Sequence, residues 1–151
     1  MRSKIFAAVI CLILSFCTLM PSVCFADYGS TIPADAVGNR SDIITIKRPE
    51  SLSASTSDKT YTISATGAQG TRVRIYKQRG NTGYIVSAER KIGASGLYST
   101  VVDLNDDNNT FIVYAENANG TQIVRVGISK IKKSTIDRLK GVTVTIKNFL
   151  S

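Results

Sequence analysis

From residue 43 onward the chain alternates apolar and polar residues in short runs, each closed by Gly, Pro or Asn. Residues 43–47 read Ile-Ile-Thr-Ile-Lys and stop at Pro49, and residues 60–66 read Thr-Tyr-Thr-Ile-Ser-Ala-Thr before Gly67 and Gly70. In residues 71–77, Val73 and Ile75 fall on one phase and Arg72 and Arg74 on the other, the period of two expected of a half-buried strand. Further runs occupy residues 84–88, 97–104, 110–115 and 121–128. Between them lie the turn Gly80-Asn81-Thr82-Gly83, the glycines 93 and 96, a polar cluster at 105–109, and Asn119-Gly120, which predicts a type I′ hairpin. With no helical window before Ile131, the pattern predicts an all-β fold. We read it as an immunoglobulin-like β-sandwich of about seven strands, with a five- or six-stranded barrel as the competing arrangement.

The flanks have a different character. Arg2 and Lys4 precede an apolar run over residues 5–20, followed by Pro21 and Cys24-Phe25-Ala26. That is the order of a secretory signal peptide, with cleavage after residue 26. A membrane anchor is disfavoured, because Ser15, Cys17 and Thr18 interrupt a run that is already short. Phe16 before Cys17 and Val23 before Cys24 do not suit lipid attachment. Residues 27–42 are polar, with Pro33, and read as a flexible leader to a sandwich at 43–131. Residues 132–151 read as a C-terminal packing segment. Ser134-Thr135-Ile136-Asp137 suits a helix cap, whereas Val-Thr-Val-Thr-Ile at 142–146 suits a strand, and both readings stand.

Composition narrows the chemistry. The 151 residues carry 19 Lys+Arg against 11 Asp+Glu, a formal charge of +8, and no histidine. Ser-His-Asp and Cys-His nucleophile systems are therefore excluded, as are histidine metal ligands. All three cysteines lie at or before residue 24, so cleavage removes them together with two cations. The exported domain must then be held by its core alone. No second long apolar run follows and no LPxTG-like motif ends the chain, so neither a membrane span nor covalent sorting to a cell wall is expected.

Residues 43–128 resemble the bacterial immunoglobulin-like (Big-type) domains of secreted and cell-surface proteins of Gram-positive bacteria. The features that carry the resemblance are Pro49, Gly70, Val-x-Ile-Tyr at 73–76, Gly96-Leu97-Tyr98, Val-x-Leu at 102–104, Asn109, Phe-Ile-Val-Tyr-Ala at 111–115 and Asn119-Gly120. Asp107-Asn108 stands where the family commonly has a glycine, and both residue types tolerate the left-handed conformation. The resemblance implies a packing module that accompanies other domains. It implies no reaction.

Several local patterns point to chemistry. Asp103-x-Asn105-x-Asp107 imitates the opening of a calcium loop, but Asn108 and Tyr114 stand where that loop needs Gly and Glu. Ser129-x-x-Lys132 imitates a penicillin-recognising motif without its companion elements. Asn81-Thr82-Gly83-Tyr84 is similar to part of the loop of chagasin-like protease inhibitors, lacking its Pro and Trp. Lys47 and Asn117 occupy positions suited to an isopeptide crosslink. The basic residues carry the main expectation: Arg72, Arg74 and Arg125, with Tyr76 and Tyr114, share one sheet face that suits an anionic cell-wall polymer, glycan or protein. A second cluster, Lys130, Lys132, Lys133, Arg138 and Lys140, surrounds the start of the C-terminal segment.

No cofactor, no nucleic-acid partner and no reaction are expected. The expected function is that of a non-catalytic exported protein, binding or serving as a structural accessory at the cell envelope or in the extracellular space. The alternative is a secreted protease inhibitor or effector acting through the loops at 80–84 and 105–109.

Overall fold

The computed structural model describes residues 28–132 and Thr135. The expected signal peptide at 1–26, and all of the segment at 134–150 except Thr135, lie outside the described residues. The strands, in chain order, are β1 (Thr31–Pro33), β2 (Ile44–Arg48), β3 (Ser53–Thr56), β4 (Thr60–Gly67), β5 (Arg72–Arg79), β6 (Thr82–Lys91), β7 (Leu97–Asp103), β8 (Asn108–Asn117) and β9 (Gly120–Lys130). Six of them form a sheet in the order β1-β6-β5-β8-β9-β3, and the other three a sheet in the order β2-β4-β7. The chain is an all-β, two-sheet sandwich of the immunoglobulin-like kind, not a closed barrel. No helix among the described residues is long and apolar enough to cross a membrane.

The expected runs all become strands, and the period of two decides what each one buries. Ile63, Ala65, Tyr98 and Val102 from the small sheet meet Val73, Ile75, Phe111, Val113, Val126 and Ile128 from the large one in a single core. The added strands are β1 and β3. β3 lies in the Ser/Thr stretch after Pro49 and pairs in parallel with β9, from Ser53 opposite Gly127 to Thr56 opposite Lys130. Its sequence is nearly devoid of large apolar residues, so hydrophobic alternation does not reveal it.

β1 corrects the flexible-leader expectation. Residues 28–42 form a strap across the outer face of the six-stranded sheet. Thr31, Ile32 and Pro33 pair with Tyr84, Gly83 and Thr82 of β6. Ile32 is fully buried, in a second apolar cluster with Ala36, Tyr76, Ile112 and Tyr114, against which Tyr28 and Ile123 also pack. The strap is polar in composition yet ordered, because a single isoleucine and a series of backbone contacts hold it.

Two glycines make room for it. A Cβ on Gly83 would stand 2.7 Å from Ile32 Cγ2, and one on Gly120 would stand 2.5 Å from Asn39 Oδ1. The second case also revises the hairpin. Asn117 pairs with Gly120, so Ala118 and Asn119 form the loop rather than Asn119-Gly120. Gly120, at φ +142°, opens β9 where Asn39 Oδ1 accepts the Thr121 N–H at 2.8 Å.

Complete burial of one isoleucine is worth about 1.5–3 kcal/mol. Ile32→Ala is expected to cost about 2–5 kcal/mol, measured as a lowered urea midpoint, because it empties the pocket under the strap.

Candidate functional site: the arginine face and its strap

The ladder brings the expected basic residues onto one face. Arg72 stands opposite Glu116, Arg74 opposite Tyr114, and Tyr76 opposite Ile112 across β5 and β8. On the next strand Ile112 stands opposite Arg125 and Tyr114 opposite Ile123. Arg72, Arg74, Tyr76 and Arg125 therefore share the outer surface of the six-stranded sheet, as the alternation predicts.

That surface is only partly open, which narrows the expectation of an exposed patch: Arg125 stays exposed and Arg72 half-buried, whereas Tyr76 and Tyr114 are covered. Tyr76 and Tyr114 are almost completely buried under the strap. Tyr28 packs edge-on against Tyr114, their ring centroids 5.7 Å apart. The Tyr76 hydroxyl donates to the carbonyl oxygens of Tyr28 at 2.7 Å and Gly29 at 3.1 Å. Arg74 Nη1 donates to the same Tyr28 carbonyl, while its Nε bonds Glu89 Oε2 at 2.6 Å. Arg125 holds the middle of the strap: Nε and Nη2 donate to Ala34 O at 3.0 and 2.6 Å, and Nη2 also to Ala36 O at 2.8 Å.

The chemical logic is one of carbonyl satisfaction. β1 is only three residues long, so most strap carbonyls have no ladder partner, and a covered carbonyl needs a donor. Arginine supplies several donors in a fixed fork, and charge-assisted bonds are the stronger kind. Gln122 completes the anchoring below. Its Oε1 accepts the N–H groups of Ile43 at 2.7 Å and Ile44 at 2.8 Å, and its Nε2 donates to Ser41 O at 3.1 Å.

Arg72 differs from the other two. It pairs with Glu116 at 2.7 Å, its side chain keeps 39% exposure, and β6 sets Lys91 directly opposite it. Arg72, Lys91 and Glu116 line an open cleft of about 380 Å³ with Gly70, Asn117 and Ala118. Two cations therefore reach solvent at one end of β5 and β6, beside an acid that is itself mostly buried.

The remaining candidates are placed as follows. Only Gly80 and Asn81 lie between β5 and β6, and Thr82, Gly83 and Tyr84 are ladder residues paired with both β5 and β1. Of the Asn81–Thr82–Gly83–Tyr84 tetrad, Asn81 is thus in a two-residue turn and the other three are the first strand residues of β6, not a projecting loop. Lys47 is exposed on β2, in the sheet opposite Asn117 of β8, so the crosslink pair is not brought together. Ser129 Oγ donates to Asn108 Oδ1 at 3.0 Å, and Lys132, three residues on, falls on the other phase of an extended chain. Asp103, Asn105 and Asp107 are spread from the end of β7 through the connection to β8. No cluster of three or more acidic side chains suited to a metal ion occurs among the described residues.

That connection instead carries an ion pair absent from the sequence reading. Lys77 continues the inward phase of Val73 and Ile75, so its side chain is buried at the end of the core, and its Nζ lies 2.8 Å from Asp106 Oδ2. Apart from this pair, the ammonium has no hydrogen-bond acceptor among the described residues. Direct contact with Lys77, followed by the charges of Lys77, Arg79 and Lys130, holds the Asp106 carboxyl below its ordinary range. Asn109 braces the loop, its Nδ2 donating to Asp106 O at 2.7 Å.

No protein-family model matches the chain, and no curated protein matches it. Among solved structures, the chain is similar to an engineered protein determined by crystallography, at 17% identity and a TM-score of 0.45. That likeness covers 60% of this chain and 20% of the other.

Two outcomes follow from this geometry. Arg125→Ala removes the donors to Ala34 and Ala36, so amide hydrogen exchange at residues 31–36 should accelerate by at least about tenfold while the core strands β5 and β8 keep their protection. The Asp106 carboxyl is more acidic folded than unfolded, so its contribution is complete above the unfolded carboxylate range, about pH 4, and is lost as pH falls through the lower folded value. Denaturant titrations from pH 7 to pH 2 should show Asp106→Asn less stable than wild type at neutrality, with the difference vanishing in acid.

Proposed function

We propose that the protein is a non-catalytic exported domain that binds an anionic partner at the cell envelope or in the extracellular space, or acts there as a structural accessory. The partner's class is an acidic wall polymer, an acidic glycan or an acidic protein surface. The observation that supports this reading is the cross-strand pairing of Arg72 with Lys91 beside an open cleft. Arg74 is covered and Arg125, though exposed, already donates to strap carbonyls, so the anion-binding role falls chiefly to the rim. Two adjacent cations partly offset by Glu116 favour a polymer with repeated charges, met at several points, over a single tightly held ion. Export is supported by the leader-like residues 1–26, and a role as a binding module by the resemblance of residues 43–128 to Big-type domains.

The test is retention on isolated Gram-positive cell walls. Wild-type protein should be retained at low salt and released as ionic strength rises, because exposed charge interactions are screened. Arg72→Glu with Lys91→Glu should lower retention by at least about tenfold. Lys91→Glu alone, which leaves the Arg72–Glu116 pair in place, should give a smaller loss in the same direction. Unchanged retention of the double variant would remove the basis for this site.

A further inference from the structure

Among the described residues the sandwich has four edge strands, which differ in how well they are protected. β1 is three residues long and ends in Pro33, and β3 has four residues. β2 carries Lys47 and Arg48 and loses register between Ile46 and Arg48. Short length, cations, proline and irregular register are the usual devices against edge-to-edge pairing.

β7 has none of them. Its register with β4 runs unbroken from Leu97 opposite Thr66 to Asp103 opposite Thr60, and Asp103 is its first charged residue. Among the described residues it is hydrogen-bonded to β4 alone. Leu97 and Val101 lie on its outward phase, each 61% exposed. The residues opposite Val101, Ser99 and Leu97 on β4 are Thr62, Ser64 and Thr66, so this strip of the sheet is neutral. Behind it β6 packs against β7, with Ser87 Oγ 3.4 Å from the Tyr98 hydroxyl, and exposes Ile85 and Val86.

We infer that the β7 edge is a self-association surface whose occupant is β7 of a second copy, added antiparallel. A two-fold axis through Ser99 sets that residue against its own equivalent. Leu97 then meets Val101 of the second copy, and Val101 meets Leu97 of the second copy. An isologous interface requires this reciprocity, and the spacing of two apolar residues about a small central one supplies it. The two three-stranded sheets become one continuous sheet. Charge favours the same edge: without residues 1–26 the chain keeps 17 Lys+Arg against 11 Asp+Glu, a net +6, and the repulsion between copies is least where β7 carries no cation and β4 no charge.

Sedimentation velocity over a concentration series of the exported chain tests this directly. Wild type should show a concentration-dependent dimer. Val101→Lys and Leu97→Lys should each raise its dissociation constant by at least about tenfold. Val37→Lys, at a residue 82% exposed on the strap, should leave the constant unchanged. Thermal unfolding of each variant establishes that it is folded.

A second measurement is independent of inserted charge. Beyond residue 24 the chain has no cysteine, so Ser99→Cys in the leader-free protein should give a disulfide-linked dimer on mild oxidation. Directly opposed residues of an antiparallel pair lie within disulfide reach, at about 4.5–5.5 Å between Cα atoms. A wild type that stays monomeric throughout, with no Ser99→Cys dimer, overturns the inference. So does a dimer unaffected by both lysine variants, since it forms elsewhere. A dimer seen only after deletion of residues 133–151 also overturns it, because the chain's own C-terminal segment would then be the occupant.

Discussion

The structure depends on covering the outer face of its six-stranded sheet. That face carries Tyr76, Ile112, Tyr114 and Ile123, too much apolar surface to leave in water. The cover is a polar strap with one fully buried side chain, Ile32, and its cohesion comes mainly from hydrogen bonds to its backbone. A strap without a full ladder partner must find donors for its carbonyls, and Arg74, Tyr76 and Arg125 provide them. The absence of a side chain at Gly83 lets Ile32 reach the sheet. Remove the cover, and the sandwich has a core on one side of the large sheet and an apolar patch on the other.

This requirement redirects the function. A row of arginines on one strand face looks like a surface for anions, but most of its capacity is used internally. Arg125 stays exposed but spends donors on the strap, and the rim offers Arg72, shared between Glu116 and solvent, with Lys91 beside it. The opposite sheet has a different vulnerability. Its β7 edge is uncharged up to Asp103 and carries exposed leucine and valine, so it suits a neutral, extended partner. The two surfaces differ in charge, lie on different sheets, and need not compete.

The core strands were legible because alternation is a local property of the chain. Residues 72–77 of β5 show this, since Val73 and Ile75 enter the core and Arg72 and Arg74 leave it. The same rule placed Lys77 inward, although a lysine in that position reads as a solvent-facing strand end. Its buried ion pair with Asp106 required knowing that the β7–β8 connection folds back over that end. The strap left one readable trace. Phe111 through Ala115 shows no alternation, and such a run marks a strand covered on both faces. That trace says that something covers β8. It does not say what.

By itself, the amino-acid sequence determined the fold class, the positions of the main strands, the inward and outward phase of each, and the absence of histidine chemistry. These follow from side-chain identity and a period of two, both local. The tertiary structure alone decided that a polar leader is an ordered strap, that two of the three arginines bind backbone carbonyls, that the hairpin closes between Asn117 and Gly120, and that β7 pairs only with β4 among the described residues. The physical reason is the same in each case. Which groups satisfy a carbonyl, a cation or a strand edge depends on residues that are distant along the chain and become neighbours only when the sheets are assembled.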